Sequence, residues 1–130
     1  LSLLLMDIDH FKKINDTHGH AIGDQVLRKL ARSLGDALRE VDLPARMGGE
    51  EFAVLMPETE LGQALQVAER LRAALEQTMV DVADGPPLRF TVSIGVTQWD
   101  PADADIDATL ARADAALYRA KHQGRNRVES

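Results

Sequence analysis

The chain contains no cysteine, which excludes disulfides and thiolate metal sites and is easiest to reconcile with a reducing, cytoplasmic setting. No apolar stretch approaches the length of a membrane span, so no direct membrane contact is expected. Basic residues are in deficit: 15 Lys and Arg against 21 Asp and Glu leave a net charge of −6. That balance argues against nonspecific binding to nucleic acid or to an anionic bilayer. A polyanionic ligand would need local basic residues and a divalent cation to offset repulsion. There is also no internal repeat, low-complexity tract or interdomain linker, and Leu1 is not an initiator Met. The expectation is one domain over 1–130, taken from a longer protein. With 130 residues and 45% hydrophobic content, it is large enough for a single core.

What is present concentrates in one run, Arg46-Met47-Gly48-Gly49-Glu50-Glu51-Phe52. A Gly-Gly pair between extended segments reads as the two-residue loop of a tight hairpin, because glycine tolerates positive φ. Without side chains there, an anionic ligand can lie against backbone N–H groups. Glu50 and Glu51 stand at the mouth of the turn, where a carboxylate can hold a hard cation. Leu3-Leu4-Leu5-Met6 reads as a buried strand delivering Asp7 and Asp9 at its C-terminal end. If it pairs antiparallel with Phe52-Ala53-Val54-Leu55-Met56, Asp7 meets Glu50 or Glu51 at one sheet edge. Strand alternation lets Asp7 and Asp9 share a face, whereas Glu50 and Glu51 should diverge.

The remaining elements follow from periodicity. A short helix starts near His10, and Asn15 through His20 reads as a polar connection. A longer helix then presents Val26, Leu27, Leu30, Ala31, Leu34 and Leu38 on one face. Leu43 to Met47 and Phe52 to Met56 flank the turn. Thr59 is expected to cap a helix running to about Thr78, with Leu61, Leu65, Ala68, Leu71 and Leu75 inward. Asp84-Gly85-Pro86-Pro87 marks a loop before a strand from Leu88 to Thr97. The last helix, Ile106 to His122, turns Leu110, Ala113 and Leu117 inward and ends at Gly124. This order predicts an α+β fold, a central mainly antiparallel sheet flanked by helices.

Among single residues, Asp7 is the leading candidate cation ligand, and Lys12, Lys121 and Arg125 are candidate phosphate partners. Phe11 reads equally as core or as ligand-facing. His10, His18 and His20 match no zinc spacing.

Asp7-Ile8-Asp9-His10-Phe11-Lys12, Asn15-Asp16, His20-Ala21-Ile22-Gly23-Asp24 and the Gly48-Gly49-Glu50-Glu51-Phe52 run together resemble the GGDEF domain of diguanylate cyclases, in its GGEEF spelling. Val92-Ser93-Ile94-Gly95-Val96, Ala116-Leu117-Tyr118-Arg119-Ala120-Lys121 and Gly124-Arg125-Asn126 continue the match across essentially the whole chain. Two departures stand out. Met47 replaces a usual aromatic residue, and the Leu-Thr-Gly-Leu and Asn-Arg-Arg elements that precede the first strand are not in this sequence.

The resemblance implies an architecture similar to nucleotidyl cyclase catalytic domains and polymerase palms. It implies condensation of two GTP into cyclic di-GMP and two pyrophosphates by a homodimer. Mg²⁺, or Mn²⁺ in its place, would be held by Asp7, Glu50 and the Ile8 carbonyl, with Glu50 a possible base. Asn15 and Asp24 look like a guanine reader, since guanine offers paired donors that a carboxylate can accept. His20, Phe11, Gly48 and Gly49 would border the nucleotide. Arg39 and Asp42, in Arg-x-x-Asp spacing upstream of the turn, with Arg70, would form an inhibitory product site. The alternative reading is a catalytically silent sensor of GTP or cyclic di-GMP.

Overall fold

The computed structural model describes residues 1–130. Ser2–Ile8 forms β1, buried along its whole length, as a strand covered on both faces must be. Its neighbours in the five-stranded sheet follow the order β2-β3-β1-β6-β7. Here β2 is Leu43–Gly48, β3 Glu51–Met56, β6 Val92–Gln98 and β7 Arg127–Glu129. The pairings of β1 with β3 and β6, and of β2 with β3, are antiparallel, whereas β7 joins β6 in parallel. A second sheet pairs β4, Met79–Val80, with β5, Leu88–Arg89.

Four helices cover the sheet: α1 Phe11–His18, α2 His20–Ala37, α3 Leu61–Glu76 and α4 Ile106–His122. Alternation along β1 sends Leu4, Met6 and Ile8 into a core shared with Val26, Leu30 and Leu34 of α2 and Ala68, Leu71 and Leu75 of α3. It sends Leu3 and Leu5 to the other face, where Ala53 of β3 and Ala113 and Leu117 of α4 meet them. At Gly95 of β6 the backbone of α4 comes so close that an added Cβ would overlap the Ala113 carbonyl oxygen and the Leu117 nitrogen. The α+β architecture is as the residue pattern predicts, with helices on both faces of a mainly antiparallel sheet.

Several boundaries differ from those expected. The hairpin loop is Gly49-Glu50 and not the Gly-Gly pair, because a register shift after Arg46 brings Gly48 opposite Glu51. Asn15 lies inside α1, and Gly19 alone separates α1 from α2. Thr59 does not cap α3. Glu60 does so through a reciprocal capping box with Gln63, while Thr59 Oγ1 donates to the Pro57 carbonyl at 2.9 Å. The expected strand from Leu88 to Thr97 breaks at Phe90-Thr91, and its first two residues pair with β4 instead. Ala31 is exposed although it lies on the apolar stripe of α2.

Candidate functional site

The end of β1 and the start of β3 form the site. Asp7 lies opposite Glu51 on one side and Ser93 on the other. The Ile8 N–H donates to the Glu50 carbonyl at 3.3 Å, which fastens the strand end to the hairpin mouth. Ile8's own side chain is buried in the core, so it could face a ligand only through its main chain. Asp7 is buried and its carboxylate Oδ2 accepts from Lys121 Nζ of α4. Burial pushes the Asp7 carboxyl up; Lys121 opposes this, while Glu50 and Asp9 add to it. Glu51 is also raised, first by burial and then by Asp7. Burial is the main cause of both shifts and neighbouring acids add to it; carboxylate oxygens are the donors that a hard divalent cation takes. Asp7, Glu50 and Glu51 do not converge as a three-carboxylate cluster; Glu51 pairs across from Asp7, while Glu50 lies in the turn.

The turn itself is open. Gly49 sits at φ +23°, and added Cβ atoms at Gly48 or Gly49 would meet nothing within 4 Å. Arg46 Nε donates to the Gly49 carbonyl at 2.8 Å and holds the turn from its other side. Met47, at the departure from the family's aromatic, is half exposed. It borders a cavity of about 300 Å³ with Leu5, Glu51, Leu110 and Asp114.

The second group gathers where α1 meets α2. Asn15 Oδ1 is buried and has no hydrogen-bond partner. An unpaired buried acceptor is costly unless something else fills it. An added Cβ at Gly23 would overlap that same oxygen, so the absence of a side chain at Gly23 is what admits Asn15. Asp24 follows on the exposed side of α2, one turn into the helix and not at its opening. His20 is exposed at the first position of α2. Phe11 packs its ring in the core, so of its two readings the side chain takes the core one. Lys12 and Arg125 are exposed and make no ion pair with the protein, whereas Lys121 is occupied by Asp7.

A third group is separate from these. Arg39 Nη2 donates to Asp42 Oδ1 at 3.1 Å, to the Pro57 carbonyl at 2.9 Å and to Thr59 Oγ1 at 2.7 Å. Asp42 is buried, and its other oxygen accepts from the Arg39 N–H at 2.9 Å. In this geometry Asp42 holds Arg39, and the rest of the guanidinium remains free. Arg70 of α3 lines the same cavity of about 270 Å³.

Residue patterns alone give no role to Gly23, Arg46 or Asn126; they place Asp9 at the end of the first strand, on the face of Asp7, without giving it a task of its own.

Comparison with known proteins adds the following. The family described as "Diguanylate cyclase, GGDEF domain" matches residues 1–127. The response regulator PleD of Caulobacter vibrioides is 50% identical over 129 residues, which is 98% of this chain and 28% of that protein. Diguanylate cyclase DgcM of Escherichia coli is 50% identical over 127 residues, 98% of this chain and 30% of that protein. The chain thus spans less than a third of the length of these relatives. Among solved structures, the GGDEF domain of DgcB from Caulobacter crescentus in complex with c-di-GMP superposes with a TM-score of 0.93 at 38% identity, covering 98% of this chain and 75% of that one. The active GGEEF domain of a diguanylate cyclase from Vibrio cholerae gives a TM-score of 0.91 at 34% identity, covering 98% and 80%.

Proposed function

This chain belongs to the GGDEF domain family of diguanylate cyclases, and on that premise we propose that it condenses two GTP into cyclic di-GMP. In each half-reaction a ribose 3′-oxygen bonds to the α-phosphorus of the other GTP, pyrophosphate leaves, and the hydroxyl proton passes to a base or to water. One domain holds one nucleotide, so ring closure requires two copies facing each other. The observation that carries this reading is the pairing of Asp7 with Glu51, which brings the acidic hairpin mouth against the end of β1.

Asp7, Glu50 and the Ile8 carbonyl are the groups that would hold Mg²⁺ or Mn²⁺. Such a cation, when bound, supplies charge neutralisation at the triphosphate and acidifies the attacking hydroxyl. The chain's own residues do the positioning. The N–H groups of the first turn of α1 lack intrahelical partners and favour a phosphate, and Lys12 and Arg125 stand ready to pair with it. Asn15 and Asp24 select the base: Asp24 accepts from the paired guanine donors, which adenine lacks. Support for this assignment comes from Asn15 lying against Gly23 of α2, next to Asp24 in the chain, so that both residues belong to the contact of α1 with α2.

Product control belongs to the separate cavity, where Arg39 and Arg70 would clamp the phosphates of cyclic di-GMP. The decisive experiment is incubation of the dimerised protein with GTP and Mg²⁺, followed by chromatography. Cyclic di-GMP is expected; bound nucleotide without product would turn the reading to a sensor.

A further inference from the structure

We propose that Asp9 is a positioning residue that latches the end of β1 to the turn after α4, and that it is not itself a cation ligand. The inference rests on the reading above and deepens it at the same site. Asp9 is buried, 5% exposed. Its Oδ1 accepts from Ser93 Oγ at 2.6 Å. Its Oδ2 accepts from Thr91 Oγ1 at 2.7 Å and from the Asn126 N–H at 3.0 Å. The Asp9 N–H in turn donates to the Thr91 carbonyl at 2.9 Å. A carboxylate has about four lone-pair sites, so most of Asp9's accepting capacity is taken by the protein. Asp7, on the same face, has a single exchangeable partner in Lys121.

The donor that closes the latch is itself held. Asn126 has φ 46° and follows Arg125 at φ 61°, a left-handed conformation that L residues adopt with compensation. Compensation comes from α3: Arg72 Nη1 donates to Asn126 Oδ1 at 2.7 Å, and Asn126 Nδ2 donates to Glu76 Oε2. The side chain is gripped, so the backbone N–H is aimed at Asp9. Lys121 lies in the last turn of α4, just before this turn. The latch therefore fixes the end of β1, two residues beyond Asp7, and with it the direction in which the Asp7 carboxylate is held. Partners of this outer kind commonly carry about 10–100-fold in metal affinity or activity.

The test uses Mn²⁺ as probe, followed by electron paramagnetic resonance, with kcat and KM for GTP measured on the same preparations. In Asp9→Asn the amide oxygen can accept from Thr91 and Asn126 while its NH₂ donates to the Ser93 hydroxyl. That variant is expected to retain Mn²⁺ affinity within about threefold. Asp9→Ala loses every contact and should weaken Mn²⁺ binding about 10–100-fold, with kcat falling more than KM rises. Thr91→Val separates the roles even if Asp9→Ala does not fold. It frees a lone pair on Asp9, so a ligand would bind Mn²⁺ as well or better, whereas a loosened latch binds it less well. Equal losses in Asp9→Asn and Asp9→Ala, or unchanged or tighter binding in Thr91→Val, would overturn the latch alone. Wild-type protein that takes up no Mn²⁺ would overturn the metal-dependent reading and this inference together.

Discussion

At Asp7 the burial that β1 needs on both faces conflicts with the negative charge that a cation needs. Both Asp7 and Glu51 are raised by burial, so the folded protein binds these protons more tightly than the unfolded chain. Their contribution to stability is present in full below the unfolded values and is lost as pH rises through the folded ones. A divalent cation takes only the deprotonated form. Uptake of Mn²⁺ should therefore strengthen across that rise and release protons into a weakly buffered solution; pH-independent uptake would remove Asp7 from the ligand set. Asp7→Asn is expected to abolish turnover, by more than the about 10–100-fold typical of outer-shell partners, without lowering the melting temperature of the metal-free protein. Glu50→Gln should behave alike, since its turn is open; near-normal turnover in folded protein would sink its assignment. Lys121 is the counterpart. Its ammonium occupies the Asp7 oxygen, so Lys121→Met should tighten Mn²⁺ binding in nucleotide-free protein by about two- to fivefold, the size of a partly exposed ion pair. The same substitution should weaken GTP. Looser Mn²⁺ binding would mean that Lys121 props up the site and does not compete for it.

At the scale of elements, the contact of α1 with α2 turns on Gly23. A Cβ there would overlap the Asn15 side-chain oxygen, the end of a side chain that can swing away. Ala is also the better helix former by about 1 kcal/mol, so Gly23→Ala should leave stability nearly unchanged. GTP affinity and the preference over ATP should fall as Asn15 is displaced, and calorimetry showing both unaltered would remove Asn15 from the base reader. This contact was not legible in the sequence, because it joins a helix interior to a residue that looked like loop. Asn15-Asp16-Thr17-His18 is polar throughout, the pattern of a connection, yet tertiary packing of Phe11 and Ile14 makes it helix. The long apolar elements were legible because burial on one or two faces leaves a periodic trace. The short strands β4, β5 and β7 left none. Two or three residues cannot show a period, and β7 is fixed by its parallel pairing to β6. At the site, the meeting of Asp7 with the hairpin was legible from strand ends alone. The Asp9 latch was not, since it depends on a backbone N–H whose direction is set by left-handed residues beyond α4.

Across the whole molecule, the hairpin of β2 and β3 has the acidic turn at one end, and the Arg39 cavity lies by the other. Asp42 immediately precedes β2, Pro57 and Thr59 follow β3, and Arg39 bonds to all three. On the proposed reading, a ligand clamped by Arg39 and Arg70 would bear on both strands that carry the turn, or would bridge to a second copy. Either route inhibits only if product binds the competent and incompetent arrangements with different affinity. Arg39→Ala should raise the cyclic di-GMP concentration needed for half-inhibition by about tenfold or more, as expected for losing a charge-assisted phosphate contact of about 1.5–3 kcal/mol. Because the residue lies outside the catalytic group, the initial rate in dilute assays should stay near wild type. Arg70→Ala should act in the same direction without disturbing the Arg39–Asp42 pair, which makes it the cleaner variant if loss of that pair loosens the hairpin. Progress curves with added cyclic di-GMP read the outcome. Equal inhibition of wild type, Arg39→Ala and Arg70→Ala would reduce the cluster to a structural tie between the strand ends.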